Sequence, residues 1–200
     1  MNFTTHSAAL VASIIFSIWI MSALAKDQGV LTIVSAGLFC LSMITLYTAS
    51  SLYHLAKDER LKRRLKVFDH SAIFVLIAGS YSPFTLAGIG GAWGWSLFGV
   101  VWGLALVGIA FKLFFTGRFK LVSTLLYVAM GWLIVIAVKP MTNRLSPQTI
   151  IWLVVGGLAY TVGTIFYLSK KLAFGHAIWH LLVALGTAGH AVALYFLAYP

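Results

Sequence analysis

Seven long apolar runs constrain this chain more than any other feature. They fall at about 7–25, 30–55, 67–88, 92–112, 119–138, 148–168 and 173–198. Crossing the hydrocarbon core of a bilayer as a helix takes about 20 predominantly apolar residues. Seven such crossings with short links use up the 200 residues. A backbone inside lipid must satisfy its own hydrogen bonds, so runs of this length are helices. The expected fold is an all-α membrane protein, a single seven-transmembrane helix bundle over residues 1–200 with no room for a separate soluble domain. Composition agrees, because 61% of residues are hydrophobic and only 9% charged, against about 25% charged in soluble domains. That excludes a soluble globular domain, a disordered tail and a disulfide scaffold.

The interruptions have chemical causes. Lys26-Asp27-Gln28-Gly29 ends the first run, and the charged segment Lys57 to Lys66 separates the second from the third. Gly88-Ile89-Gly90-Gly91 makes the next turn, and Thr116-Gly117-Arg118 ends the fourth run. Pro140 and Pro147 flank the connection before the sixth span, which Lys170-Lys171 closes. Ala23-Leu24-Ala25 has the small-residue pattern of a cleavage site, but Met1 to His6 carries no Lys or Arg. The basic n-region of a signal peptide is missing, so the first run reads as a retained span. Gly99 and Gly103 form a small-xxx-small pair of the kind that lets membrane helices approach closely. The lone Cys40 lies in an apolar run and has no intrachain partner.

The net charge of +10 does not point to nucleic acid. The basic residues sit between apolar runs, where they set topology and meet lipid headgroups. Eleven Lys and Arg fall on the side of the second, fourth and sixth connections, and Lys26, Lys139 and Arg144 on the other. The richer side is expected in the cytoplasm. That places the N-terminus inside and the C-terminus outside a bacterial-type inner membrane, with membrane lipids as partners and no nucleic acid.

Ionisable side chains within spans are costly and point by default to function. The candidates are His54, Asp69, His70, His176, His180 and His190. Ser50 shares a helix face with His54, and His176 shares one with His180, because each pair is four residues apart. The spacing His-x-x-x-His lets two imidazoles of one helix hold a zinc ion. Ser50 and His54 end the second helix, Asp69 opens the third, and His176 and His180 open the seventh. All five therefore reach one depth in the cytoplasmic leaflet. His190 lies about 15 Å further along its helix, too far to share the site. A lone membrane histidine more often serves helix packing than ligation. His6, His70 and His190 are read that way.

Three neutral imidazoles, His54, His176 and His180, leave a fourth zinc position open, which is the pattern of a catalytic site. Asp69 is the expected partner that holds or deprotonates a water, and Ser50 the expected hydrogen-bond donor to a substrate carbonyl or to Asp69. A lipid ester or amide reaches this depth directly from the membrane.

The segments around these residues also carry a resemblance. Ala49-Ser50-Ser51-Leu52-Tyr53-His54, Phe68-Asp69-His70-Ser71-Ala72-Ile73-Phe74 and His176-Ala177-Ile178-Trp179-His180 resemble the signature segments of the hemolysin III group. This is the bacterial branch of the progestin and adiponectin receptor (PAQR) family. The resemblance runs from about residue 30 to the C-terminus and takes in Ala78-Gly79-Ser80-Tyr81-Ser82-Pro83-Phe84 and Gly131-Trp132. It implies a seven-helix bundle with zinc (Zn2+) at His54, His176 and His180. It also implies polar partners at Ser50 and Asp69, as in the wider superfamily that includes alkaline ceramidases, which hydrolyse lipid amides. Members are also described as membrane-homeostasis proteins, and older naming makes them cytolytic. Family members often begin with an acidic, Glu-bearing segment, whereas this chain begins Met1-Asn2-Phe3-Thr4-Thr5-His6 and has its first Glu at Glu59. His6 is similar in position to a family histidine near the start of the first helix.

Three functions follow as alternatives. The first is a zinc-dependent hydrolase of a lipid amide or ester involved in membrane homeostasis. The second is a non-enzymatic sensor or regulator with structural zinc. The third is a cytolysin, which the clustering of polar residues in one leaflet disfavours, because a pore needs them along its length.

Overall fold

The structure is a computed structural model that describes residues 2–169, 172 and 174–200, with side chains from Thr4 onward. Lys170 and Lys171, expected to close the sixth span, lie outside the described residues. The described residues form helices throughout: α1 (Asn2–Asp27), α2 (Val30–Leu55), α3 (Glu59–Pro83), α4 (Gly91–Phe115), α5 (Lys120–Gly131), α6 (Val138–Arg144), α7 (Pro147–Leu168) and α8 (Gly175–Ala198). Seven spans are long and apolar enough to cross a membrane, with α5 and α6 joined in the fifth as Lys120–Arg144. The chain is a multi-pass membrane protein. Its lipid-facing character shows in exposed side chains such as Ile18, Leu41, Val107, Leu125, Ile165 and Leu185. A soluble monomer does not display so much contiguous apolar surface.

Two expected boundaries shift. The segment Lys57 to Lys66 is not a connection: α3 begins at Glu59 and carries most of those charges on its first two turns. The Asp58 side chain caps it by accepting from the Leu61 N–H at 2.7 Å. A capped run of good helix formers needs no lipid to stay helical. Pro140 is not in a connection either, but sits in the first turn of α6, where the missing N–H costs nothing. Pro147 opens α7 behind the Ser146 cap.

The fifth span is broken in a way its uniform hydropathy does not announce. After Gly131 the chain tightens into a 3₁₀ stretch over Leu133–Ala137 before α6 resumes. Tyr81 of α3 bridges the break. Its hydroxyl accepts from the Ile134 N–H at 2.9 Å and donates to the Gly131 carbonyl at 2.8 Å. Trp132 Nε1 donates to Thr161 Oγ1 of α7 at 2.9 Å. Irregular backbone at membrane depth survives where the protein supplies such partners. A second irregularity follows Pro83, where Phe84–Ile89 forms a π-helical turn that closes at Gly90, whose φ of 63° suits glycine.

The best-packed pairs are α2 with α3 and α7 with α8. In each, glycine lets backbones close in. Gly79 of α3 leaves no room for a Cβ against Ser42 of α2, and Gly156 of α7 lies against Gly189 of α8. A Cβ built on Gly99 or Gly103 of α4 would meet nothing within 4 Å among the described residues, so no helix among them makes a close approach at this small-xxx-small pair. The largest core cluster, around Phe39, Met43, Tyr47, Trp179 and Leu194, binds α2 to α8. It lies beneath the end of the bundle where α2 finishes and α3 and α8 begin.

Candidate metal centre

The site is assembled at that same end of the bundle. His54 lies on the last turn of α2, two residues short of the C-cap Ala56. His176 and His180 lie on the first two turns of α8, which starts at Gly175. Their Nε2 atoms converge: His180 stands 3.1 Å from His54 and 3.0 Å from His176. Ligand atoms of all three lie within 4.8 Å of one another. Two nitrogens about 2.0–2.1 Å from one tetrahedral zinc ion are separated by about 3.4 Å. The two spacings at His180 therefore fit a shared ion after an outward movement of a few tenths of an ångström. The three histidines expected from sequence to share a site are brought together, and they could hold a metal ion.

His6 was expected to be a packing residue, and the structure gives it a more specific place. It is 3% exposed, and its Nε2 is hydrogen-bonded to Nδ1 of His180. The rings meet edge to face with centroids 3.8 Å apart, and Tyr47 packs edge-on to His6 at 5.2 Å. The nitrogen of His180 that meets His6 is Nδ1, whereas Nε2 faces His54 and His176, so His6 lies behind the convergent cluster and outside it. Ligation through Nε2 requires the His180 proton on Nδ1, where it donates to His6. Such outer partners fix the tautomer and ring orientation of metal-binding histidines. The depth argument that gathered His54 and His176 covers His6 as well, which opens α1 at the same end.

Asp69 and Ser50 lie beside the centre and not in it. Asp69 is outside the convergent ligand set. It lines the same cavity of about 270 Å³, together with Ser50, His176 and His180. Ser50 is fully buried beside the Asp69 carboxyl group, and its hydroxyl makes no hydrogen bond of ordinary geometry among the described residues. Asp69 stands 3.8 Å from Nδ1 of His70. That same nitrogen of His70 hydrogen-bonds the Lys66 carbonyl at 2.7 Å, and Tyr127 donates to the His70 carbonyl at 2.9 Å. His70, read from sequence as a packing residue, also lines that cavity, with Nε2 3.4 Å from the Tyr167 hydroxyl.

His190 is also separate, as expected. It is packed between Tyr160 and Phe84, with Nε2 3.3 Å from the Leu153 carbonyl. Beneath the polar cavity lies an apolar one of about 130 Å³. Leu46, Ile73, Trp179 and Val183 line both, so the two share a wall.

The sequence is similar to known proteins along nearly its whole length. A family described as "Haemolysin-III related" matches residues 1–191. The "Hemolysin-3 homolog" of Bacillus subtilis is 44% identical over 187 residues, covering 94% of this chain and 88% of that protein. "Hemolysin-3" of Bacillus cereus is 40% identical, covering 94% of this chain and 85% of its own length. The human "Monocyte to macrophage differentiation factor" is 26% identical over 200 residues, covering 97% and 82%. With its seven spans and its histidine cluster at one end of the bundle, the chain belongs to the haemolysin-III-related group of the PAQR family.

Proposed function

We propose that this chain is a zinc-dependent hydrolase of a lipid amide or ester, with its site at the cytoplasmic face of the membrane. The observation that carries the reading is the meeting of three imidazole nitrogens beside a cavity that also holds a carboxylate and a buried hydroxyl. His54, His176 and His180 would hold the metal. Three neutral imidazoles suit zinc and leave a fourth position open. Zinc held in this way supplies Lewis acidity, which polarises an acyl carbonyl and brings the pKa of water toward 7. Asp69 would accept the proton of an attacking water, and the Ser50 hydroxyl would hold the Asp69 carboxylate or the acyl oxygen. His6 would keep His180 in the tautomer that ligates. The apolar wall of Leu46, Ile73, Trp179 and Val183 would carry the acyl chain.

The test is turnover by the purified protein in lipid nanodiscs, offered a panel of acyl amides and esters. Release of fatty acid is expected, and Asp69→Asn should reduce it by about 10²–10⁴-fold, the usual contribution of a general base, while zinc stays bound. Absence of turnover across the panel would end the hydrolase reading.

One observation favours a second reading, a sensor or regulator with structural zinc. The backbones of α2 and α8 approach closely at few points compared with either helix and its sequence neighbour, and core side chains fill the space between them. An ion shared by His54, His176 and His180 would tie the two together. On that reading Asp69→Asn changes neither melting temperature nor zinc content nor membrane phenotype. The cytolysin suggested by the names of the Bacillus relatives finds no support in the placement of the ionisable residues within the spans, most of which, His190 apart, gather at one end of the bundle.

A further inference from the structure

Lys112 is the one strongly basic side chain among the described residues that is fully buried, at 2% exposure. It stands in the last turn of α4, where a lysine ordinarily reaches water, yet its side chain is turned into the protein. Its ammonium group donates to Ser123 Oγ of α5 at 2.5 Å and lies 5.7 Å from the ring centre of Tyr127. Among the described residues no carboxylate lies within salt-bridge distance of it. A buried cation without a counter-ion is costly, and most so inside a membrane. A lysine that only set topology would face solvent or headgroups.

Lys112 also lines the polar cavity of the histidine site, and it does so with company. Lys66 of α3, Arg118 of the α4–α5 turn and Lys120 of α5 line the same cavity. The Lys66 ammonium reaches toward the Gly117 backbone of that turn. Lys120 lies 4.0 Å from the centre of the Tyr167 ring and hydrogen-bonds the Tyr167 carbonyl. Against four cations the cavity offers the single carboxylate of Asp69. The polar end of the cavity is therefore electropositive, and its inner end is the apolar wall shared with the second cavity.

We propose that the cavity binds an anionic amphiphile, its phosphate or carboxylate headgroup held by Lys112, Lys66 and Arg118 and its tail along Leu46, Ile73, Trp179 and Val183. This rests on the reading of the histidine cavity as a lipid site and names the charge class of the lipid. The headgroup supplies the negative charge that Lys112 lacks, and charge-assisted hydrogen bonds to phosphate or carboxylate are the strong ones.

Binding of dodecyl phosphate, laurate, the neutral 1-O-dodecylglycerol and inorganic phosphate, measured by native mass spectrometry of zinc-loaded protein in maltoside detergent, tests this. At least one of the anionic amphiphiles should bind ten or more times tighter than the neutral ether and than inorganic phosphate. Lys112→Met should remove that preference and Lys112→Arg should keep it, with zinc content unchanged in both. Equal binding of the neutral ether, equal binding of inorganic phosphate, or a preference that survives Lys112→Met overturns the proposal. Should Lys112→Met not fold, the double variant Lys66→Gln and Arg118→Gln must reduce the preference at least threefold, and no reduction overturns it. Dodecyl phosphate has no acyl carbonyl, so the result is independent of turnover. Hydrolysis without charge preference refutes this inference alone, and charge-selective binding without hydrolysis refutes the hydrolase alone.

Discussion

Replacing His6 with Phe separates support of a ligand from ligation itself. Phe has nearly the same ring volume, so it fills the buried space between His180 and Tyr47. It lacks the nitrogen that accepts from Nδ1 of His180. His180 would then retain Nε2 for the metal, but lose the partner that fixes its tautomer and ring angle. Loss of an outer-shell partner lowers metal affinity by about 10–100-fold, equivalent to about 1.4–2.7 kcal/mol of binding free energy. The metal-free fold should lose about 1–3 kcal/mol, because the buried Nδ1 of His180 is left without its partner, and melting of the metal-free protein reads that loss separately from metal affinity. The assay is competition for zinc against a chromophoric chelator, run on wild type, His6→Phe and His180→Ala. The expected order is wild type, then His6→Phe weaker by one to two decades, then His180→Ala with no tight binding. Unchanged affinity in His6→Phe would refute the argument that His6 orients His180. Complete loss, equal to that of His180→Ala, would refute it in the opposite direction by making His6 a ligand.

Two further predictions concern the scaffold. Gly79→Ala puts a methyl group into Ser42 and the α2 backbone, so it should destabilise the bundle by about 1–3 kcal/mol, as overpacking does. Gly99→Ala, which meets nothing within 4 Å, should leave the melting temperature unchanged. Tyr81→Phe removes the hydroxyl that pairs with the Ile134 N–H and the Gly131 carbonyl. It should cost about 1–3 kcal/mol, the usual penalty for an unsatisfied buried group, and speed amide exchange over Trp132 to Ala137.

The spans were legible because lipid imposes a length and a composition that a sequence cannot disguise. The break in the fifth span was not, because Leu133-Ile134-Val135-Ile136-Ala137 is as apolar as the helix before it. Hydropathy records transfer energy and not hydrogen-bond pattern, and Tyr81, which makes the break tolerable, is some fifty residues away. The beginning of α3 was obscured for the opposite reason, since its charges read as a loop although a capped helix carries them. At the site, ligand spacing and common depth identified His54, His176 and His180, and those two criteria depend only on helix geometry. His6 was set aside as a lone histidine because nothing near it in sequence shows that Nδ1 of His180, 174 residues away, needs a partner. Lys112 was counted among the topology charges. Its place in the last turn of α4 fits that reading, and only the packing of α5 against it shows that its side chain is buried.

The most direct test is the metal content of protein purified from membranes without added metal. The account predicts about one zinc per chain in wild type and essentially none in His176→Ala, with the variant still folded as a seven-span bundle. Metal-free wild type, or a His176→Ala variant that keeps stoichiometric zinc, would contradict it.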